Sequence, residues 1–181
     1  MPVSKLVPGW FAAVALAAAA PMTCLAAPPQ FTLHIAGIQG ESTLSVAKGD
    51  IDVLSFNFGA SFAATVAAGG GVARAGKPDL TTLSILKTVD HASVPLFAQL
   101  LKGVHGTLAT LTVWESNGET LQAAYTVTLK NFLVADQSTT GSVGSPLTES
   151  VSFTYDEIKV TDIIGGGLES VDFNVLTGVV Q

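Results

Sequence analysis

The alternation of side chains around Asn117-Gly118 restricts the fold of this chain more than any other feature. Two runs rich in Leu, Val and Thr, Leu108–Glu115 and Thr120–Leu129, flank it, and in the second every other residue from Leu121 shares one face. A period of two is typical of a β-strand with one buried side. Asn-Gly between two such runs predicts a hairpin, because a tight turn needs residues that tolerate positive φ. The chain is therefore predicted to contain antiparallel strands.

Shorter runs on either side extend the pattern. Phe31–Ile35 alternates as a half-buried strand. Between Ile51–Val53 and Leu54–Phe58 the alternation of apolar residues shifts by one position. This shift predicts a β-bulge or a strand that changes faces. A loop over Ser138–Pro146 and a turn at Asp156-Glu157 separate the later predicted strands. The segments predict a mainly β fold, a barrel or sandwich of about eight short antiparallel strands. The remaining predicted strands are Leu80–Leu86, Phe132–Asp136, Leu147–Tyr155, Ile158–Ile163 and Val171–Val175.

One segment after the predicted signal region, Ser93–Lys102, has the pattern of an α-helix. Ser93 is predicted to cap its start, Pro95 is tolerated in the first turn, and Gly103 is predicted to end it. Its apolar residues share one face, which is predicted to pack on the sheet. These residues are Leu96, Phe97, Leu100 and Leu101.

Charge and motifs exclude several classes of function. The chain has 8 Lys+Arg against 14 Asp+Glu, so neither nucleic acid nor an anionic membrane is an expected partner. Gly71–Lys77 matches G-x-x-x-x-G-K, but Pro78 replaces the Ser or Thr that holds Mg²⁺ in a nucleotide-binding loop. His34, His91 and His105 lack a second ligand at metal spacing. No catalytic, metal or cofactor site is predicted, and an enzyme would need a pocket that brings one of these histidines next to a carboxylate.

The start of the chain has the order of regions of an export signal. Phe11–Ala20 is an unbroken apolar run, too short for a membrane-spanning helix. Pro21 ends the run, and small residues before and at Ala26 fit a cleavage site. Residues 1–26 are therefore predicted to be a cleaved signal peptide, and residues 27–181 the folded domain. The only cysteine lies inside the signal, so packing without disulfides must hold the domain.

Short motifs recur along the chain in a particular order, and together they resemble one known family. Their order and spacing resemble the Hcp family, the haemolysin-coregulated proteins that are the tube subunits of type VI secretion systems. The resemblance covers about Phe31 to Val160, and the segment after Val160 matches poorly. The motifs are Ile38–Ser42, Ile51–Gly59, the loop from Gly69 to Lys77, Asp79–Thr81, Lys87–Asp90, Ala92–Pro95, Leu111–Val113, Thr126–Asn131 and Thr148–Phe153.

The resemblance implies a β-barrel with one flanking helix, and hexameric rings that stack into a hollow tube. It also implies a spike protein at the tip and effectors in the lumen, so that the chain works by assembly and not by catalysis. Phe56–Gly59 stands where the family has Trp-Ser-Trp-Gly, which implies that Asn57 faces the lumen. The loop Ser61–Lys77 corresponds to the family's extended loop that contacts neighbouring rings. The candidate contact residues in it are Gly69, Gly70, Gly71, Gly76 and Lys77.

The export signal leaves two alternatives for where the chain acts. Tube subunits assemble in the cytoplasm, so a start at Met22 would give a cytoplasmic subunit that leaves the cell through the secretion apparatus. A real signal would instead give a stand-alone, exported Hcp-like binding module in the periplasm or outside the cell. The order of its regions favours a real signal.

Overall fold

The computed structural model describes residues 28–62, 77–118, 120–163 and 167–180. Within these ranges the chain forms eleven strands and one helix, α1 (Ser93–Lys102), which confirms the mainly β prediction. The strands are β1 (Gln30–Ile35), β2 (Ile51–Val53), β3 (Ser55–Asn57), β4 (Ala60–Ser61), β5 (Asp79–Leu80), β6 (Leu83–Thr88), β7 (Gly106–Ser116), β8 (Leu121–Thr140), β9 (Thr148–Asp162), β10 (Glu169–Asn174) and β11 (Val179–Val180).

The long strands β8 and β9 join two branches of one antiparallel sheet. Its main path runs in the order β11, β10, β9, β8, β7, β1, β2. The second half of β9 pairs with β10, whereas its first half pairs with β6, and β6 pairs in turn with β3. β8 accompanies β9 along both halves. Strands β4 and β5 form a separate pair.

The predicted barrel is not closed by hydrogen-bonded ladders. Among the described strands no ladder joins β2 to β6, so the circuit of strands is open there. The chain crosses this gap at Leu54, whose N–H donates to the carbonyl of Leu86 at 2.8 Å. Beyond Leu54 the chain leaves β1 and joins β6 as β3. The predicted change of phase is confirmed, and its cause is this change of partner.

The predicted hairpin at Asn117-Gly118 is confirmed. Ser116 pairs with Leu121, and the N–H of Asn117 donates to the carbonyl of Thr120 at 3.2 Å. Gly118 has φ 97°, a left-handed conformation that glycine adopts without a side-chain penalty.

The strands on the far side of that hairpin are longer than predicted. The predicted loop Ser138–Pro146 is wrong at its start, because β8 continues to Thr140. The predicted turn at Asp156-Glu157 is also wrong, since both residues lie inside β9. There Glu157 accepts from Lys130 of β8 at 2.7 Å. Because charged residues on the solvated side of a sheet pair across strands, they do not require a turn. The predicted strand Leu80–Leu86 is divided into β5 and β6.

The core is one cluster of apolar side chains between the two branches. Phe132 of β8 and Phe153 of β9 meet edge to face at its centre, with ring centroids 5.8 Å apart. This arrangement is favoured by the charge distribution of aromatic rings. Helix α1, the one helix formed by the described residues, lacks the length and apolarity needed to span a bilayer.

Helix α1 packs on the core by a narrower stripe than predicted. Leu96 is fully buried and Leu100 packs against the core, but Phe97 and Leu101 are 46% and 72% exposed. Ser93, Leu96 and Leu100 follow the spacing i, i+3, i+7 of a single helical face. Phe97 and Leu101 each follow one of these leucines and are turned about 100° from it. The prediction that all four apolar residues face the sheet is therefore wrong for these two.

The ends of α1 agree with the sequence in part. Gly103 ends the helix with φ 61°, and the N–H of Val104 donates to the carbonyl of Gln99, as in a Schellman motif. The prediction that Ser93 caps the start is wrong, because Ala92 holds the cap position without a side-chain bond. The Ser93 hydroxyl instead donates to Glu149 of β9 at 2.6 Å.

Candidate functional site: a hydroxyl-rich sheet face

Asn57, the predicted lumen residue, is exposed at the end of β3. Its neighbours Phe56 and Phe58 alternate with it and pack against the core. The Phe56 ring lies 5.3 Å from that of Phe31, edge to face, and 6.5 Å from that of Phe58, stacked. Successive residues of a strand point to opposite sides. The aromatic anchors therefore fix β3 with Asn57 directed outward.

The strand register places Asn57 in a row of polar residues that crosses four strands. Asn57 pairs with Ser84 of β6, and Ser84 pairs with Ser152 of β9. The two serine hydroxyls are 2.8 Å apart, and Asp136 of β8 completes the row opposite Ser152. We refer to this row and the two parallel rows beside it as the hydroxyl face. The second row is Ser55, Leu86, Ser150 and Ser138, and the third is Thr88, Thr148 and Thr140.

The hydroxyl face is nearly free of charge, since Asp136 is its one ionisable member. Further along the same strands the outer surface is charged. Lys130 of β8 lies 2.7 Å from Glu157 and 3.6 Å from Asp172 of β10, and Lys159 pairs with Asp172 in the β9–β10 ladder. The sheet therefore has one neutral hydrogen-bonding surface and one surface of fixed charges.

The predicted ring-contact residues Gly69, Gly70, Gly71 and Gly76 lie outside the described residues. Lys77 is described, and its exposed side chain donates from Nζ to the carbonyl of Leu176 at 3.3 Å. It also packs beside Gly178. Lys77 thus contacts the turn between β10 and β11, whereas Asn57 lies beside β6. The structure does not bring these two predicted groups together at one site.

A buried ionic cluster, which sequence reasoning missed, lies behind the second and third rows of the hydroxyl face. Nζ of Lys87, a side chain with 0% exposure, is 2.6 Å from Oε1 of Glu149 and 2.6 Å from Oδ1 of Asp90. Nζ also donates to Oγ of Ser93 at 3.1 Å, and Nε2 of Gln137 donates to Oε2 of Glu149 at 3.0 Å. These five residues, the Lys87 cluster, join β6, β8, β9 and the start of α1.

Sequence carried a signal for this cluster. Lys87 occupies the inward phase of β6 that Leu83 and Ile85 begin, and Glu149 occupies the inward phase of β9 that Val151 and Phe153 continue. A charge in the apolar phase of a strand must be buried, and buried charges need partners. The same network explains why the Ser93 hydroxyl does not cap α1: it donates to Glu149 and accepts from Lys87 Nζ and from the N–H of Asp90.

Comparison with known proteins identifies the family to which this chain belongs. The family model described as "Type VI secretion system effector, Hcp" matches residues 32–161. The chain belongs to the Hcp family. Hcp1 of Salmonella typhimurium superposes with a TM-score of 0.73 at 26% identity, over 84% of this chain and 99% of that one. A structure titled as a type six secretion system protein superposes with a TM-score of 0.76 at 22% identity, over 84% and 99% of the two chains.

A curated relative adds a match in sequence. Protein hcp1 of Pseudomonas aeruginosa is 33% identical over 85 residues, which are 46% of this chain and 52% of the relative. The chain thus spans about half the length of the curated relative that it matches. Hcp proteins are structural, secreted tube components of type VI secretion systems and not enzymes. The family therefore confirms the resemblance, the Hcp-like fold and the prediction of a non-enzymatic chain.

Two histidines lie next to carboxylates, but on the open surface. Nδ1 of His34 is 2.8 Å from Asp50, and Nδ1 of His91 is 3.2 Å from Glu41. The histidine side chains are 62% and 83% exposed, so neither has the pocket that a catalytic pair in this Hcp protein would need. Among the described residues no group of three or more His, Cys, Asp or Glu could hold a metal ion.

The Lys87 cluster is expected to make the stability of this Hcp domain sensitive to acid. Burial raises the pKa of Glu149, but hydrogen bonds from Lys87, Ser93 and Gln137 lower it more, so its pKa lies below the ordinary value. Glu149 then stabilises the fold above its unfolded-state pKa, and that contribution is lost as the pH falls through the folded-state pKa. We expect the urea midpoint of unfolding to fall as the pH is lowered below 4.5, the ordinary value for this carboxyl group, and to fall less in Glu149→Gln. An equally steep fall in Glu149→Gln would show that Glu149 is not responsible.

Proposed function

We propose that this chain is a ring-forming tube subunit of a type VI secretion system that assembles as a homohexamer and binds partner proteins in the ring lumen. The observation that carries the proposal is the hydroxyl face around Asn57 in an Hcp fold. Asn57 lies within Phe56–Gly59, the segment where the family has its lumen motif. In this proposal the hydroxyl face lines the lumen, and passing proteins contact it through hydrogen bonds without meeting strong fixed charge.

Exposed apolar side chains on the described surface support assembly. Some of them lie on the outer side of α1 and on the segment that carries β10 and β11. Cyclic rings use head-to-tail interfaces, in which two different surfaces of one subunit meet, and exposed apolar patches often mark such interfaces. The glycine-rich loop with Gly69, Gly70, Gly71, Gly76 and Lys77 is proposed to contact the neighbouring ring. The exposed apolar side chains in these two regions are Val94, Phe97, Leu101, Leu168, Val171, Leu176, Val179 and Val180.

A second candidate function is a stand-alone exported Hcp-like module outside any tube. The apolar run Phe11–Ala20 favours it, because general export would separate the chain from a tube that assembles in the cytoplasm. N-terminal sequencing of the protein from cells decides between the two. A start at Ala27 supports the exported module, and a start at Met22 or Thr23 supports the tube subunit. A sheath and a spike encoded beside the gene would also support the tube subunit.

The lumen position of Asn57 is tested by the size of reagent that reaches it. In a Cys24→Ser background, Asn57→Cys is treated with a small maleimide and with the same maleimide on a large polymer. A control, Lys159→Cys, places a thiol on the charged surface of β9. We expect the polymer reagent to label Asn57→Cys many-fold more slowly than Lys159→Cys, and the small reagent to label both alike. Equal labelling of both thiols by the polymer would contradict a lumen position.

A further inference from the structure

Two members of the hydroxyl face differ from the rest, Leu86 and Asp136. Leu86 is 38% exposed and lies in the second row between Ser55 and Ser150. Asp136 is exposed at the end of the first row, opposite Ser152. None of the ion pairs formed among the described residues involves Asp136. The face thus presents one apolar and one anionic group on a background of hydroxyls.

Packing of the core does not explain why an apolar residue occupies the outward position of Leu86. On β6 the inward phase is Leu83, Ile85 and Lys87, so the strand has an apolar residue outside and a charged residue inside. When the serine and threonine hydroxyls around Leu86 bind a partner, they replace hydrogen bonds to water, so the net gain in binding free energy is small. Burial of Leu86 gains about 25 cal/mol for each Å² of apolar surface removed from water. Leu86 is therefore the strongest point of contact on the face.

We propose that Leu86 and Asp136 set the specificity of the hydroxyl face, which binds polypeptide segments that carry an apolar side chain near a basic one. The inference rests on the proposed function, in which this face meets partner proteins. A basic residue complements Asp136, and the face offers no cation to an acidic partner or to nucleic acid. The partner is thus a polypeptide segment that carries a basic residue near an exposed apolar residue.

The register gives the spacing that such a segment needs. Leu86 on β6 and Asp136 on β8 are two strands and one row apart. With strands about 4.8 Å apart and a row spacing of about 6.8 Å, their Cα atoms are roughly 12 Å apart. Three to four residues of extended chain span this distance, at about 3.3 Å per residue. A leucine and a lysine four residues apart in an extended peptide therefore reach both groups.

The test measures binding of defined peptides by fluorescence anisotropy at low salt. The probe is a fluorescein-labelled Gly/Ser peptide with leucine and lysine four residues apart. Matched peptides replace the lysine by glutamate or the leucine by serine. The protein is the full chain as purified, together with Leu86→Ser and Asp136→Asn. Two control variants change the same kinds of side chain at other places. Leu108→Ser changes an exposed leucine of β7, and Asp52→Asn changes an exposed carboxylate of β2.

We expect the leucine–lysine peptide to bind, and Leu86→Ser to weaken it about fivefold. Asp136→Asn is expected to weaken it about two- to fivefold, while both controls bind as the parent does. Failure of this peptide to bind, equal binding of the glutamate peptide, or equal loss in the controls would overturn the inference. Peptide binding does not require a ring, so a monomeric protein that passes this test would refute the proposed function and leave the inference standing.

Discussion

Replacing Lys87 by alanine is expected to lower the free energy of unfolding by about 3–5 kcal/mol. The Lys87 ammonium is fully buried between Glu149 and Asp90, at 2.6 Å from each. Its removal leaves two buried or nearly buried carboxylates without a cation, and an unpaired buried charge costs far more than the pair itself contributes. Urea unfolding followed by circular dichroism measures the loss. Because a domain of this size has about 5–15 kcal/mol of stability in all, the variant should unfold at markedly lower urea.

Lys130 provides a matched control within the same sheet. Its Nζ lies 2.7 Å from Glu157, almost the same distance as in the buried pair, but its side chain is 46% exposed. Exposed ion pairs contribute about 0–1 kcal/mol, because water screens the charges and both side chains lose freedom. We expect the urea midpoint of Lys130→Ala to lie close to that of the parent. Equal losses in Lys130→Ala and Lys87→Ala would show that burial does not give the Lys87 cluster its importance.

Replacing Gly40 by alanine is expected to destabilise the domain by at least about 1–3 kcal/mol. Gly40 lies where the loop after β1 passes against the start of β2. Its N–H donates to the carbonyl of Gly49 at 2.9 Å, and the N–H of Ser42 donates to that of Asp50 at 2.9 Å. An added Cβ would overlap the backbone of Asp50 and Ile51, and backbone atoms cannot rotate away as a side chain can.

Gly59→Ala is the control for the loss of a glycine itself. A Cβ at Gly59 would meet only the hydroxyl oxygen of Thr81, at 3.8 Å, an ordinary contact. Its φ lies outside the left-handed range, so alanine adopts the same backbone without strain. We expect the thermal midpoint of Gly59→Ala to match that of the parent, and that of Gly40→Ala to fall by several degrees. A parent-like midpoint for Gly40→Ala would refute the close approach of these segments.

Local patterns in the sequence predicted those parts of the fold that depend on neighbours in the chain. The Asn117-Gly118 hairpin, the bounds of α1 and its end at Gly103 depend on adjacent residues, and all three are confirmed. The turn predicted at Asp156-Glu157 was wrong because cross-strand pairing with Lys130, 27 positions away, overrides the local preference for a turn. The prediction that Phe97 packs on the sheet was wrong because the width of the buried stripe depends on which residues face the helix.

The hydroxyl face could be predicted only in part. Asn57 was named through the resemblance of Phe56–Gly59 to the family's Trp-Ser-Trp-Gly, and not through any pattern of its neighbours. The other residues of its row were not predicted, because Ser84 and Ser152 are 68 positions apart in the chain. They become neighbours only through the register of the complete sheet. The Lys87 cluster was detectable in principle, as a charge in the apolar phase, but the identity of its partner on β9 requires the same register.

The mass of the native particle tests the central claim most directly. The chain purified without denaturant is measured by native mass spectrometry and by light scattering over a range of concentrations, and its rings are viewed by electron microscopy. The proposed function predicts a particle of six subunits with a central hole, at the lowest concentration as well as the highest. A monomer at every concentration would contradict ring formation, the lumen position of Asn57 and the role of this chain as a tube subunit.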